Sequence, residues 1–253
     1  MNCKKLTIII LPLISLFLPI PFQTFAQSKE ANWNYPIRPG TEEWEKLNSF
    51  SERLNAFNIP DSILNNMTTE NLVKTCLAYP WWMLITSRDD NQAGYDFLKK
   101  NFNGFQELET RKDAGFELVK IYGSMLPAKI VESKTLISKG RFSYQFIFIE
   151  ILLSQTSTIE NLTKQNLIQL LESAIFVFQN KTNPELEYSL LSLSSTGLIL
   201  VRILERNNSK EFIIFKNEFL TYEQFNKTGI TSNRELLLRL NSLAIEHLKT
   251  LKL

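Results

Sequence analysis

From Thr41 onward, apolar residues recur three and four positions apart in segments of about 10 to 22 residues, with short polar turns between them. This spacing predicts an all-α fold with roughly eight or nine helices. Leu167, Leu170, Leu171, Ala174, Ile175 and Phe178 form one stripe, and Leu236, Leu240, Leu243 and Ala244 form another. Phe212, Phe215, Phe219 and Tyr222 also recur at three and four, which favours helix over strand in spite of the Phe-Ile-Ile-Phe run. Phe142, Tyr144, Phe146 and Phe148 alternate as a strand would. However, Ser143, Glu150 and Ser154 share a helical face, and Ile147 to Leu153 is apolar except for Glu150, so this stretch is also read as helix.

Several helix starts are specified by their own chemistry. Thr41 precedes Glu42 and Glu43, an N-cap followed by acids that complement the helix dipole, and this helix should carry Trp44, Leu47, Leu54 and Phe57 inward. Thr68 is a second cap, with Met67 and Leu72 placed as a hydrophobic staple, and Leu162-Thr163 with Leu167 repeats the arrangement. Asn183-Pro184 reads as a cap with proline in the first helical position, and Ser232 to Glu235 reads as a capping box. Residues 127–140 have a weak pattern and are expected to form a loop or short helix, the place for a subdomain hinge. Short connections predict antiparallel neighbours, so residues 41–253 are expected to form a single helical domain, either a helical array or an irregular bundle. Residues 27–40, with two prolines and a glycine, read as an extended lead-in.

The first 26 residues differ in kind. Lys4 and Lys5 precede the apolar run Leu6 to Phe22, and Thr24-Phe25-Ala26 offers small residues at a scissile bond, which is the layout of a secretory signal. Pro12, Pro19 and Pro21 break the run, and it is shorter than the roughly 20 residues of a spanning helix, so cleavage near Ala26 is expected and stable membrane insertion is not. A periplasmic or secreted location follows. Cleavage would remove two of the 28 basic residues and none of the 26 acidic ones, leaving a chain with no net charge. Such a chain lacks the basic surface that nucleic-acid binding requires.

Of the two cysteines only Cys76 lies beyond the signal, and it sits among Leu72, Val73 and Leu77 at helical spacing, as a buried hydrophobe would. Stability must then come from packing without a disulfide. One cysteine and one histidine, His247, cannot make a metal site of the usual kind, and no calcium-loop spacing is present. His247 lies near the end of the last helix, where positive charge would complement the dipole. No cofactor motif and no catalytic constellation is found. The charge-dense stretch from Glu107 to Lys120, with Glu107 and Arg111 one turn apart, reads as a solvated helix face.

The candidate binding residues are Trp81 and Trp82, followed by Arg88, Asp89 and Asp90. Tyr79-Pro80 should end the helix begun at Thr68. Adjacent tryptophans on one helix point about 100° apart, so one of them should be partly exposed. An exposed ring rimmed by Arg88, Asp89 and Asp90 could serve as a platform for a sugar or a partner chain. The simpler alternative packs both rings between helices and uses Asp89 or Asp90 as the next cap.

Three segments carry a resemblance: Tyr35-Pro36-Ile37-Arg38-Pro39-Gly40-Thr41-Glu42-Glu43-Trp44, Ile59-Pro60 with Met67 to Leu77, and Phe102 to Leu108 with Arg111 to Gly115. In them the chain resembles an uncharacterised family of exported all-helical proteins of Bacteroides-type bacteria. The resemblance implies export and helicity over residues 35–122 and carries no activity. The functional expectation is a non-enzymatic module that binds a protein or glycan partner in a groove between helices. The alternatives are a helical-bundle hydrolase using carboxylates such as Asp89 or Asp90 beside Arg88, and a structural accessory protein of the cell envelope.

Overall fold

A computed structural model describes residues 32–253; the signal-like segment 1–26 and the start of the lead-in lie outside the described residues. The described residues hold helices and no strand. The α-helices are α1 Glu42–Glu45, α2 Phe50–Asn55, α3 Asp61–Leu64, α4 Thr69–Leu77, α5 Asn91–Asn101, α6 Asn103–Thr110 and α7 Ala114–Ser124. They continue as α8 Leu136–Leu153, α9 Thr156–Glu160, α10 Lys164–Lys181, α11 Leu190–Asn207, α12 Lys210–Glu218, α13 Tyr222–Thr228 and α14 Arg234–Lys252. Short 3₁₀ turns occupy Trp82–Thr86, Pro127–Glu132 and Pro184–Leu186.

The described residues hold fourteen α-helices rather than eight or nine, because tertiary contacts interrupt segments that periodicity reads as continuous. The expected Thr41 helix is two short ones. Ser49 accepts from the Glu52 amide at 3.1 Å and the Glu52 carboxylate accepts from the Asn48 amide at 2.8 Å, which restarts the chain at α2. The α5–α6 break falls at Phe102, whose ring is fully buried and whose backbone is extended. Asn103 holds that break: its side chain accepts from the Ile59 amide at 2.9 Å and donates to the Ile59 carbonyl at 2.7 Å.

Most of the predicted starts are in place. Thr41, Thr68 and Thr163 each cap a helix, and Met67 and Leu72 are both buried as a staple requires. Two starts differ. The cap of α14 is Asn233, which accepts from the Leu236 amide at 3.0 Å, instead of Ser232. Asn183 and Pro184 open only a three-residue 3₁₀ turn, because Glu187 adopts a left-handed backbone and the helix begins anew at Leu190 under a Ser189 cap. Residues 127–140 hold a 3₁₀ turn and the beginning of α8, where Thr135 and Ser138 form a capping box. The Phe142–Phe148 stretch lies in α8, as its helical face predicts.

Helix α11 is the centre of the fold and packs against α8, α10 and α14. Ser194, Ser195, Thr196 and Gly197 are all fully buried on it, and small residues there permit close approach. A Cβ on Gly197 would stand 2.5 Å from Leu237 Cδ2. The lead-in also docks: Tyr35 is buried, its hydroxyl donates to the Thr75 carbonyl at 2.8 Å, and the Trp33 amide donates to Thr75 Oγ1 at 3.1 Å.

The turn that carries Trp82 is set by α5. Gly94 brings the α5 backbone directly against that turn, where an added Cβ would lie 1.8 Å from the Ile85 carbonyl oxygen. Backbone cannot move aside as a side-chain tip can. Gly94→Ala is therefore expected to lose about 3 kcal/mol, at the upper end of ordinary overpacking, read as the shift of a urea unfolding midpoint. An unchanged midpoint would show that α5 and the turn can separate freely.

Candidate functional site

The Pro80 segment ends α4 at Leu77, and the chain turns so that Trp81 and Trp82 leave it on opposite sides. Both rings are half-buried. Trp81 joins an aromatic cluster, edge-on to Trp44 at 5.1 Å and stacked on Phe50 at 5.4 Å. Trp82 faces α8 instead, 5.4 Å from the Tyr144 ring and 6.2 Å from Phe148. The two tryptophans therefore do not form one platform.

Arg88 lies with its guanidinium carbon 3.9 Å from the centre of the Phe97 ring, a cation–π contact. Asp90 accepts from the Ala93 amide at 2.7 Å and caps α5, so its carboxylate is engaged in local structure. Asp89 is exposed beside it. Of the five candidate residues, Trp82 borders a groove with apolar walls.

That groove, about 270 Å³, runs between the end of α4, α7 and α8. Leu77, Trp82, Ile121, Met125, Phe148 and Ile149 form its walls, while Arg141 and Gln145 stand along one edge. Local sequence explains the alignment: Ile121 and Met125 are four apart, as are Arg141, Gln145 and Ile149, so each set follows one helix face. One turn before Arg141, Ile137 continues that face and is 79 % exposed; its neighbour Leu136 is 85 % exposed. Arg141 is exposed and enters no ion pair among the described residues. The groove thus pairs apolar walls with one uncommitted cation.

A second cluster, absent from the sequence-level candidates, is fully buried. Lys181 of α10 meets Glu150 of α8 at 2.8 Å, with neither side chain exposed. Glu150 also accepts from the Tyr122 hydroxyl at 2.9 Å, from Thr196 Oγ1 at 2.7 Å and from Ser195 Oγ. Lys181 donates further to the Ser192 carbonyl at 2.8 Å and to Thr196 Oγ1 at 3.0 Å. Burial lowers the Lys181 pKa, with Glu150 acting against that shift. Because every member is buried, the cluster ties α7, α8, α10 and α11 together and offers no face to a substrate. The one sequence sign of it was Glu150, a lone acid in an apolar run.

The remaining titratable residues fall into structural places. Cys76 is completely buried, and desolvation raises its thiol pKa, as expected for a core cysteine. His247 is 8 % exposed, and desolvation lowers its pKa, favouring the neutral ring over the dipole-complementing cation. Asn207 Nδ2 lies 3.3 Å from His247 Nδ1. Glu107 accepts from Arg111 Nε at 2.6 Å, and Arg111 reaches across to the Met67 carbonyl at 3.1 Å, so that stretch is half solvated face and half inter-helix tie. Among the described residues no group of three or more His, Cys, Asp or Glu could hold a metal ion, and no helix is long and apolar enough to cross a membrane. The chain matches no family model, no curated protein and no solved structure.

Proposed function

We propose that this protein is an exported, non-enzymatic binding module that takes an apolar segment of a partner protein into the groove between α7 and α8. The observation that carries the reading is the groove wall itself: six apolar or aromatic side chains and, at the edge, the unpaired Arg141. Sugars are recognised through many hydroxyl contacts, and this wall has few polar groups to offer, so the groove favours a protein segment over a glycan. An amphipathic helix with apolar residues at three and four spacing would lay its apolar face there, and an acidic residue on it would meet Arg141. Exposed Leu136 and Ile137 extend the apolar surface beyond the groove end.

Anilinonaphthalene sulfonate, an apolar aromatic with one negative charge, is a direct test of the groove. The folded protein should enhance its fluorescence, and Met125→Glu and Arg141→Glu should each weaken binding about tenfold, a loss of roughly 1.4 kcal/mol. Peptides selected on the protein from a random library should displace the dye and be lost with Met125→Glu. Equal dye binding by both variants would exclude the groove as the binding surface.

A further inference from the structure

A second cavity, of about 330 Å³, lies between α9, α11 and α13 and shares no lining residue with the apolar groove. Its wall carries two guanidinium groups, Arg202 and Arg206, one turn apart on α11, and two carboxylates, Glu160 on α9 and Glu205 on α11. Opposite charges around one small cavity would be expected to close into ion pairs. Among the described residues they do not. Neither arginine nor Glu160 takes part in any ion pair, and Glu205 reaches only Lys216, at 3.5 Å and through one oxygen.

Neutral acceptors hold the guanidinium groups in place. Arg202 donates to the Ser154 carbonyl at 2.7 Å, to Gln92 Oε1 at 2.8 Å and to the Asn226 carbonyl at 3.2 Å. Arg206 donates to the Ile159 carbonyl at 2.7 Å. Burial lowers the Arg202 pKa to about 10, with Asp96 acting against that shift. The second oxygen of Glu205 has no hydrogen-bond partner. Thr156 and Ile159 supply the uncharged part of the wall.

A simple anion entering this cavity would meet two carboxylates, and a simple cation would meet two guanidinium groups. The complement is one molecule carrying both charges. We propose that the cavity binds a small zwitterion, a free α-amino acid with a short aliphatic side chain, its carboxylate toward Arg202 and Arg206 and its ammonium toward Glu160 and Glu205. Arg206 commits only Nη1, to the Ile159 carbonyl, so its planar fork can donate two parallel bonds to the carboxylate, while Arg202 adds positive charge beside it. The cavity volume falls near the lower limit of small-molecule pockets, which sets the size of the ligand.

Calorimetric titration of the protein with glycine, alanine, valine and leucine tests this, alongside two fragments of leucine: 4-methylpentanoate, which lacks the ammonium, and 3-methylbutylamine, which lacks the carboxylate. At least one amino acid should bind, and each fragment should bind at least tenfold more weakly than leucine. Arg206→Gln and Glu160→Gln alter exposed side chains and should leave the fold intact, as thermal unfolding would verify, while weakening leucine at least tenfold. The proposal is overturned if none of the four amino acids binds, if either fragment binds as tightly as leucine, or if both variants keep the original affinity.

Discussion

Lys181→Met is expected to destabilise the protein by about 3–5 kcal/mol, because it leaves the Glu150 carboxylate buried without its cation. Nothing solvates that carboxylate from outside, since both side chains are fully buried. The rings of Phe146 and Tyr188, with centres 5.3 and 5.7 Å from the Lys181 ammonium, stabilise a cation there and would do little for an anion. The reciprocal change, Glu150→Leu, should be similarly costly. Making both changes should recover much of the loss, since an apolar pair removes both charges together.

What the double variant fails to recover can be read from the hydrogen bonds. Ser195 keeps the Ser192 carbonyl at 2.9 Å as a second acceptor, and Thr196 keeps the same carbonyl at 3.4 Å. The Tyr122 hydroxyl donates to Glu150, so it would lose that acceptor at a cost of about 1–3 kcal/mol. A urea-denaturation cycle over the four proteins measures the coupling. Losses that simply add would mean that the pair acts as two independent contacts.

The second large effect is alkaline unfolding. Tyr35, Tyr79, Tyr95 and Tyr122 are all buried, and desolvation raises each pKa above the ordinary 10.0. Cys76 is raised in the same way above 9.0. The folded chain therefore keeps protons that the unfolded chain releases, so the contribution of these groups is complete below pH 9 and is lost as pH rises beyond 9 and then 10. Each group costs about 1.4 kcal/mol per pH unit above its unfolded value. By pH 11 the combined loss is on the order of 8 kcal/mol, comparable with the whole stability of a typical domain. Lys181 and Arg202 oppose this, because their lowered pKa values make stability rise with pH toward 10.5 and 12.5, but they are two groups against five. Helical circular dichroism and tyrosinate absorbance followed from pH 8 to 12 should change together. More than three of the seven tyrosines ionising while the helices persist would show that these buried hydroxyls reach solvent in the folded state.

Fold class was legible in the chain, and the reason is local. A helix face repeats every three to four residues, and a cap needs only its own residue and an amide two or three positions on. Hence the Thr68 and Thr163 caps, the Met67–Leu72 staple and the helical character of residues 142–148 could all be read without a partner segment. The same locality explains the misplaced elements. The break at Phe102 depends on Asn103 bonding Ile59, more than forty residues away, and a periodic pattern carries no trace of such a contact.

The site divides along the same line. Sequence alone determined that Trp81 and Trp82 cannot share one face and that Cys76 belongs to the core. Only the tertiary structure decided which tryptophan borders a groove, that Asp90 caps α5, and that Tyr35 accepts a left-handed backbone to place its hydroxyl on Thr75. It also brought Glu150 to Lys181 and set the charges of α9 and α11 around one cavity. Periodicity and capping are fixed by neighbours in the chain, whereas burial, pairing and cavities depend on which surfaces meet after the helices pack.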